Sequence, residues 1–106
     1  MNKPILVVKG SETIPGKNII TKNMLVFTSN SEDEDSYIYN EKHHGYFTYF
    51  LLKKLQESRG NTNFKDLKNY VVKSVVQETR LIEKMQTPQI ITNPDINLAW
   101  EKWKLK

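Results

Sequence analysis

The most apolar stretch of the chain runs from Tyr46 to Leu55, where only one threonine and two lysines interrupt the aromatic and aliphatic residues. Apolar residues on nearly every side are typical of a helix that is buried over most of its circumference. Gly60 follows at the place where a left-handed residue commonly ends a helix. The pattern therefore predicts a buried helix that begins near Tyr46 and ends before Gly60.

A second helix is predicted from about Phe64 to about Lys84. Its apolar residues recur at helical spacing and face away from a side of lysines and acids; they are Phe64, Leu67, Val71 and Val75, with Val72, Val76 and Leu81 beside them. Asn63 precedes the stripe as a candidate N-cap residue, and Asp66 occupies the capping-box position. The segment Gln86-Thr87-Pro88 is expected to stop this helix.

Three further stretches have the composition of β-strands. Residues 23–28 are a continuous apolar run, which is typical of a strand covered on both faces. Residues 88–92 form a shorter run, and residues 5–8 form a doubtful one because they lie near the end of the chain. Two helices separate the runs at 23–28 and 88–92, so that the chain reverses direction three times between these strands. We therefore expect these two strands to be antiparallel if they share a sheet.

These elements predict an α/β fold with two to three strands and two main helices. Residues 1–22 are expected to be an irregular lead-in, and residues 23–106 the structured core. A continuous apolar strand such as 23–28 requires cover on both faces and neighbours on both edges. One helix pair and one further good strand do not supply all of these. We therefore expect residues 1–106 to be part of a single domain that is incomplete on its own.

The distribution of charge along the chain disfavours one class of partner, nucleic acid. Lysine and arginine outnumber aspartate and glutamate by 16 to 12, which gives a net charge of +4. The positive charges are spread over the helices and the last residues, whereas the densest cluster is acidic and spans Glu32–Asp35. A nucleic-acid-binding protein usually concentrates its positive charge on one face. We therefore expect no nucleic-acid partner.

The chain contains no cysteine, which excludes disulfides, thiolate metal sites and a cysteine nucleophile within it. The longest apolar run near the start, Ile5–Val8, is far too short for a secretory signal or a membrane span. We expect no membrane partner. If Met1 is the natural start, a cytoplasmic location is expected.

Two motifs, taken together, resemble the C-terminal part of a caspase-like peptidase domain, as found in the bacterial relatives of metacaspases. The more specific motif is HGYFTYFLL, which starts at His44, and QTPQ follows it from Gln86. The same pattern is fitted by the strand at 23–28, by the acidic segment that follows it and contains residues 31–34, and by the terminal residues 100–105. The resemblance covers about residues 17–105.

The resemblance implies a three-layer α/β/α fold and the small-subunit portion of a cysteine endopeptidase, which is a hydrolase. In that family a cysteine attacks the peptide bond and a histidine acts as the base, and both precede the segment present here. His43 and His44 therefore do not inherit that role, and we expect no catalytic residue and no cofactor in this chain. Its partner would be the catalytic large-subunit portion of the same domain. A processed subunit, a truncated chain and an incomplete reading frame stay open as its origin.

The acidic segment is the part that the resemblance connects with substrate. In related enzymes the loop after the strand equivalent to 23–28 helps to form the pocket for the residue before the cut. Caspases place an aspartate-selecting arginine there, but residues 29–42 contain no arginine. Metacaspase-like relatives place an acid there and prefer arginine or lysine. Charge complementarity therefore predicts a basic substrate residue. The predicted substrate-binding residues are Glu32, Asp33, Glu34 and Tyr37.

Each of these features also has an interpretation that involves no specific function. The acidic run is also compatible with an ordinary solvated loop, and it lacks the glycine and the spaced aspartates of a calcium loop. Adjacent helical residues such as His43 and His44 diverge too far to share one metal easily, so that we predict no metal site. The aromatic residues that follow them are expected in the core rather than on a stacking platform. Trp100 and Trp103 could cover either the core edge or a partner surface.

The alternative function is a non-catalytic interaction or pseudo-enzyme subunit. An exposed sheet edge is a ready template for another strand. This hypothesis predicts binding of a partner through the open edge, and self-association through the strand near Ile90.

Overall fold

The structure is a computed structural model that describes residues 4–9, 20–29, 38–39 and 44–105, with the backbone alone described at residues 9, 38, 39 and 44. In chain order its strands and helices are β1 (Ile5–Lys9), β2 (Met24–Thr28), β3 (Ile38–Tyr39), β4 (His44–Gly45), α1 (Tyr46–Ser58), α2 (Phe64–Arg80) and β5 (Gln89–Thr92). Two 3₁₀ turns follow, at Pro94–Ile96 and Ala99–Lys102.

The main sheet is mixed and has the strand order β1-β2-β5. β1 pairs with β2 in parallel, from Ile5 opposite Met24 to Lys9 opposite Thr28. β2 pairs with β5 antiparallel, with Val26 opposite Ile91. The predicted antiparallel relation between the second and the last strand is therefore confirmed. The doubtful strand near the start also forms, because the backbone of β2 pairs with it. Part of the expected irregular lead-in therefore belongs to the sheet.

β2 is the most deeply buried element. Leu25, Val26, Phe27 and Thr28 are all fully buried, as expected for a continuous apolar strand that is covered on both faces. Because successive side chains of a strand point to opposite faces, Leu25 and Phe27 share one face, and both belong to the main hydrophobic cluster.

Both helices pack on that same face of the sheet. The ring of Phe27 meets the ring of Phe47 on α1 edge to face, with centroids 4.9 Å apart and planes at 84°. Residues from β2, α1, α2 and the second 3₁₀ turn share one core, which contains Leu25, Phe27, Tyr46, Phe47, Phe50, Leu51, Phe64, Leu67, Val71, Val75 and Trp100. Most aromatic residues of α1 are thus core residues, as the pattern predicts. The helix is not buried over most of its circumference, because Tyr49 is only half-buried and Leu52 is 43% exposed.

The helix ends differ from expectation in detail. α1 ends in a left-handed residue, but this residue is Arg59 (φ 56°), and Gly60 follows it with φ 76°. α2 ends at Arg80 rather than near Lys84. Glu83 adopts a left-handed conformation (φ 60°), and the amide of Lys84 donates to the carbonyl oxygen of Thr79 at 2.9 Å. This closing bond turns the chain away from the helix axis before the periodic pattern runs out.

The sequence leaves open whether Trp100 and Trp103 cover the core edge or a partner surface, and the structure decides this for Trp100. Its side chain is buried in the core. Trp103 is half-buried and packs against Phe64, with ring centroids 6.3 Å apart. The second 3₁₀ turn therefore closes the core at the start of α2.

The predicted α/β class is confirmed, with three strands in one mixed sheet and two helices in the described part of the chain. None of the described helices is long and apolar enough to cross a membrane.

Candidate functional site

The candidate site lies at the carboxyl ends of the parallel strands β1 and β2. β1 ends at Lys9 and β2 at Thr28, and the parallel register places these two residues opposite each other. In open α/β sheets, ligands bind in the crevice outside the carboxyl ends of parallel strands. The segment with the predicted substrate residues leaves the sheet from this edge, directly after Ser29.

A buried polar side chain closes this edge. Gln86 is fully buried, and its Nε2 donates a hydrogen bond of 2.9 Å to the carbonyl oxygen of Ser29. A buried carbonyl oxygen without a partner costs free energy, and the glutamine amide removes that cost. The bond fixes the point at which the chain departs from β2.

A second contact connects the same edge with β5. The hydroxyl of Thr28 donates to the carbonyl oxygen of Gln89 at 3.4 Å. The connection between α2 and β5 is therefore held against the end of β2 by two contacts, because Gln86 and Gln89 lie on either side of Pro88. The motif QTPQ is thus positioned by the end of β2.

The other motif also begins in a fixed place. β3 and β4 pair antiparallel, with Ile38 opposite Gly45 and Tyr39 opposite His44. The chain then enters α1 directly, with Tyr46 and Phe47 buried in the first turn. The hairpin leads the chain from the acidic segment into the core helix, so that the far end of that segment is tied to the start of α1.

The predicted substrate-binding residues Glu32, Asp33, Glu34 and Tyr37 lie outside the described residues, as does His43. The structure therefore fixes the two points where the acidic segment begins and ends, at Ser29 and β3, and the roles of its side chains stay predictions. Within the ranges that the structure describes, no group of three or more histidine, aspartate or glutamate side chains is placed to hold a metal ion.

Sequence reasoning missed the part that Gln86 plays. The pattern at this residue indicates only the end of a helix and part of a motif. The available signal was a short run of uncharged polar residues, Gln86, Thr87 and Gln89, between the charged end of α2 and an apolar strand. A buried member of such a run is expected to hydrogen-bond to the backbone. Only the fold shows that its partner is Ser29, which lies far away in sequence.

A groove of about 640 Å³ runs along β5. Strand β5 forms one edge of the sheet, and no described strand pairs with its outer side. The groove is bounded by Lys68 and Val72 of α2, by the residues of β5 and by Trp100. This edge combines a backbone that no described strand pairs with and a lining of mixed polar and apolar side chains. Extended peptides use an unpaired edge of this kind when they add a strand to a sheet.

No protein-family model matches the chain, and no curated protein matches it. The fold and the site thus define a small mixed α/β unit with a buried polar anchor at the carboxyl edge of its parallel strands.

Proposed function

We propose that the chain is the small-subunit portion of a caspase-like cysteine endopeptidase domain, in which it completes the sheet and supplies an acidic wall of the substrate pocket. The order of the elements supports this proposal. A parallel strand pair is followed by two helices on one face and then by an antiparallel strand beside β2. This is the arrangement expected of the last strands and two covering helices of such a domain.

The observation that carries the proposal is that the two motifs flank the same acidic segment, one at its start and the other after its end. The QTPQ segment reaches the carboxyl end of β2 through the bond from Gln86 to Ser29. The HGYFTYFLL segment begins in the hairpin that follows the acidic run and continues as the core helix. Two motifs that are distant in sequence thus border the same segment, and this segment is where the resemblance expects the substrate.

Chain length restricts where the acidic residues can act. Glu32 follows Ser29 by three residues, and three residues span at most about 11 Å when fully extended. An acid tethered this closely to the sheet edge is suited to neutralise an arginine or lysine before the scissile bond. Residues 29–42 carry no arginine that could select aspartate instead.

The chemistry must come from another portion, because the chain contains no cysteine. The β1 edge is suited to receive that portion. Ile5 and Val8 of β1 are 46% and 47% exposed, although strands of a parallel sheet are normally covered on both faces. No described strand pairs with the outer side of β1. A parallel strand added there would extend the sheet, and its side chains would flank Ile5 on one face and Val8 on the other.

Reconstitution tests the proposal. The chain is co-expressed with a cysteine-containing portion encoded upstream of it, and the purified complex is assayed with peptides that differ only in Arg, Lys or Asp before the cleaved bond. We expect thiol-dependent cleavage after Arg and Lys by the complex, and no cleavage by this chain alone. Cleavage by the pure chain, or a complex that prefers Asp, would contradict the proposal.

Charge removal tests the acidic wall in the same complex. The double variant Glu32→Gln, Asp33→Asn should lower kcat/KM for the Arg peptide by about tenfold or more, since a charge pair in a partly desolvated pocket is worth on the order of 1.5 kcal/mol or more. The matched control is Glu57→Gln with Asp66→Asn, which removes two exposed acids at the far ends of the helices. Equal losses in both variants would show a general effect of charge.

The second candidate function is a non-catalytic subunit that binds a partner through an open sheet edge. The observation in its favour is the groove along the unpaired side of β5. The intact mass of the natively expressed protein, compared with its gene, separates the two functions. Co-purification with a cysteine-containing fragment supports the peptidase subunit. A native product of 106 residues without such a fragment supports the binding subunit.

A further inference from the structure

A cavity of about 400 Å³ lies at the amino ends of the parallel strands β1 and β2. The candidate peptidase site lies at the carboxyl ends of the same strands. Pro4 and Asn23, which immediately precede β1 and β2, form part of its wall. Ile96, Ala99 and Trp103 form another part, from the chain that follows β5. Its volume falls in the range of about 300–1,000 Å³ that small-molecule sites occupy.

The two walls of this cavity are held together. Nδ2 of Asn93 donates to the carbonyl oxygen of Ile20 at 2.9 Å, and the Oδ1 of the same side chain accepts from the amide of Asp95 at 2.9 Å. Ile20 is fully buried. One asparagine thus joins the segment before β2 to the segment after β5, and its hydrogen bonds hold the two walls of the cavity at a fixed distance.

The aromatic wall is fixed as well. The carbonyl oxygen of Trp103 accepts the amide of Phe64 at 2.8 Å. This amide belongs to the first turn of α2, where backbone donors have no partner within the helix. The indole ring also packs on the ring of Phe64 at 71° between planes. A large apolar surface is therefore presented to the cavity at little further cost in conformational entropy.

The turn between the two 3₁₀ segments is strained. Asn97 has φ 49° and ψ −122°, a combination that costs an ordinary residue of the order of 1–3 kcal/mol and that clusters at functional sites. It lies between Ile96 and Ala99, which both line the cavity. This backbone conformation directs the chain around the mouth of the cavity.

The polar side of the cavity carries one lysine, which is paired with a carboxylate outside the described lining. Among the described residues that line it, Lys22 alone is charged, and Thr21 and Asn23 are its polar neighbours. Nζ of Lys22 lies 3.9 Å from Oδ2 of Asp95, and both side chains are more than 70% exposed. Exposed ion pairs of this kind contribute little, so that an incoming anion can take the place of Asp95.

We propose that this cavity binds a small organic anion with a flat apolar body, which lies against Trp103 and directs its carboxylate towards Lys22. The proposal is independent of the peptidase assignment. The two sites lie at opposite ends of the parallel strands and share none of the residues named for either.

The test uses the full chain labelled with ¹⁵N and a matched pair of probes, 2-naphthoate and the uncharged 2-naphthamide. Amide and indole signals are followed by NMR during titration. We expect saturable shifts at the Trp103 indole and at Thr21–Asn23 with both probes, and binding of the carboxylate about two- to fivefold tighter, which corresponds to one exposed charge pair. No saturable shift at Trp103 would overturn the proposal.

Three variants make the test specific. Lys22→Gln should abolish the preference for the carboxylate and leave binding of the amide unchanged. Ala99→Phe should block both probes, because Ala99 lines the cavity and a phenylalanine ring at this position would fill it. Since Ala99 is exposed, the fold should tolerate the change. Leu98→Phe is the matched control, since Leu98 is 65% exposed and is not among the described lining residues. A preference retained in Lys22→Gln, or binding retained in Ala99→Phe, would refute the proposed pose.

Discussion

Nε2 of Gln86 donates a 2.9 Å hydrogen bond to the carbonyl oxygen of Ser29, and the glutamine is fully buried. This bond crosses from the connection between α2 and β5 to the end of β2. It therefore determines where two segments leave the core: the acidic segment that follows Ser29 and the segment that leads into β5. A local change at Gln86 is expected to affect both stability and the geometry of the candidate site.

The first prediction concerns this bond. Gln86→Met keeps the length of the side chain but removes the donor, and it should lower the free energy of unfolding by about 1–3 kcal/mol because a buried carbonyl oxygen loses a partner. Urea unfolding of the full chain measures the loss. Gln77→Met is the control, since Gln77 is exposed on α2 and should change stability by less than about 0.5 kcal/mol. Equal stabilities of the two variants would mean that the Gln86 bond contributes nothing.

The second prediction concerns the start of α2. The Oδ1 of Asn63 accepts the amide of Asp66 at 2.7 Å, so that Asn63 is the N-cap, as the sequence predicts. Asn63→Ala should reduce stability by about 1 kcal/mol, whereas Asn63→Asp should retain most of it because aspartate also accepts this bond. Asn61→Ala, at an exposed neighbouring position, serves as control. A loss in Asn63→Asp as large as in Asn63→Ala would contradict the cap.

The third prediction concerns the two left-handed residues that close the helices, Arg59 and Glu83. Both are exposed, and a residue with a Cβ atom is disfavoured in this conformation, whereas glycine is not. Arg59→Gly and Glu83→Gly should each raise stability by about 0.5–1 kcal/mol. Gln77→Gly, in the middle of α2, should instead lower it by about 1 kcal/mol. Thermal or urea unfolding gives the sign, and a loss at Arg59 or Glu83 would refute the prediction.

The fourth prediction concerns self-association through β5. If the unpaired side of β5 binds a second copy, sedimentation velocity should show a dimer that dissociates on dilution. Gln89→Lys should weaken this dimer, because lysine on an edge strand opposes pairing with another strand. Gln89 is exposed, so that folding should be preserved. Gln77→Lys adds the same charge away from the edge as a control. A chain that stays monomeric at its highest soluble concentration would remove the basis for this interface.

The amino-acid pattern predicts the elements well where local and tertiary forces agree. The core helix, the N-cap Asn63 and the buried strand at 23–28 follow from periodicity, capping chemistry and continuous apolarity. The end of α2 does not, because the apolar pattern continues past Arg80 whereas the backbone turns at Glu83. The first strand was doubtful for a related reason: a short apolar run becomes a strand only when a neighbour such as β2 pairs with it.

The candidate site divides in the same way. The sequence by itself determined which residues after β2 carry charge and that the chain has no cysteine, and two of its motifs suggested the resemblance on which the proposal rests. Only the tertiary structure decided that Gln86 meets Ser29, that both helices cover one face of the sheet, and that Asn93 ties Ile20 to the chain after β5. The physical reason is that propensity and periodicity act over a few residues, whereas a buried hydrogen bond or a cavity wall joins residues that are distant in sequence and become neighbours only in the folded chain.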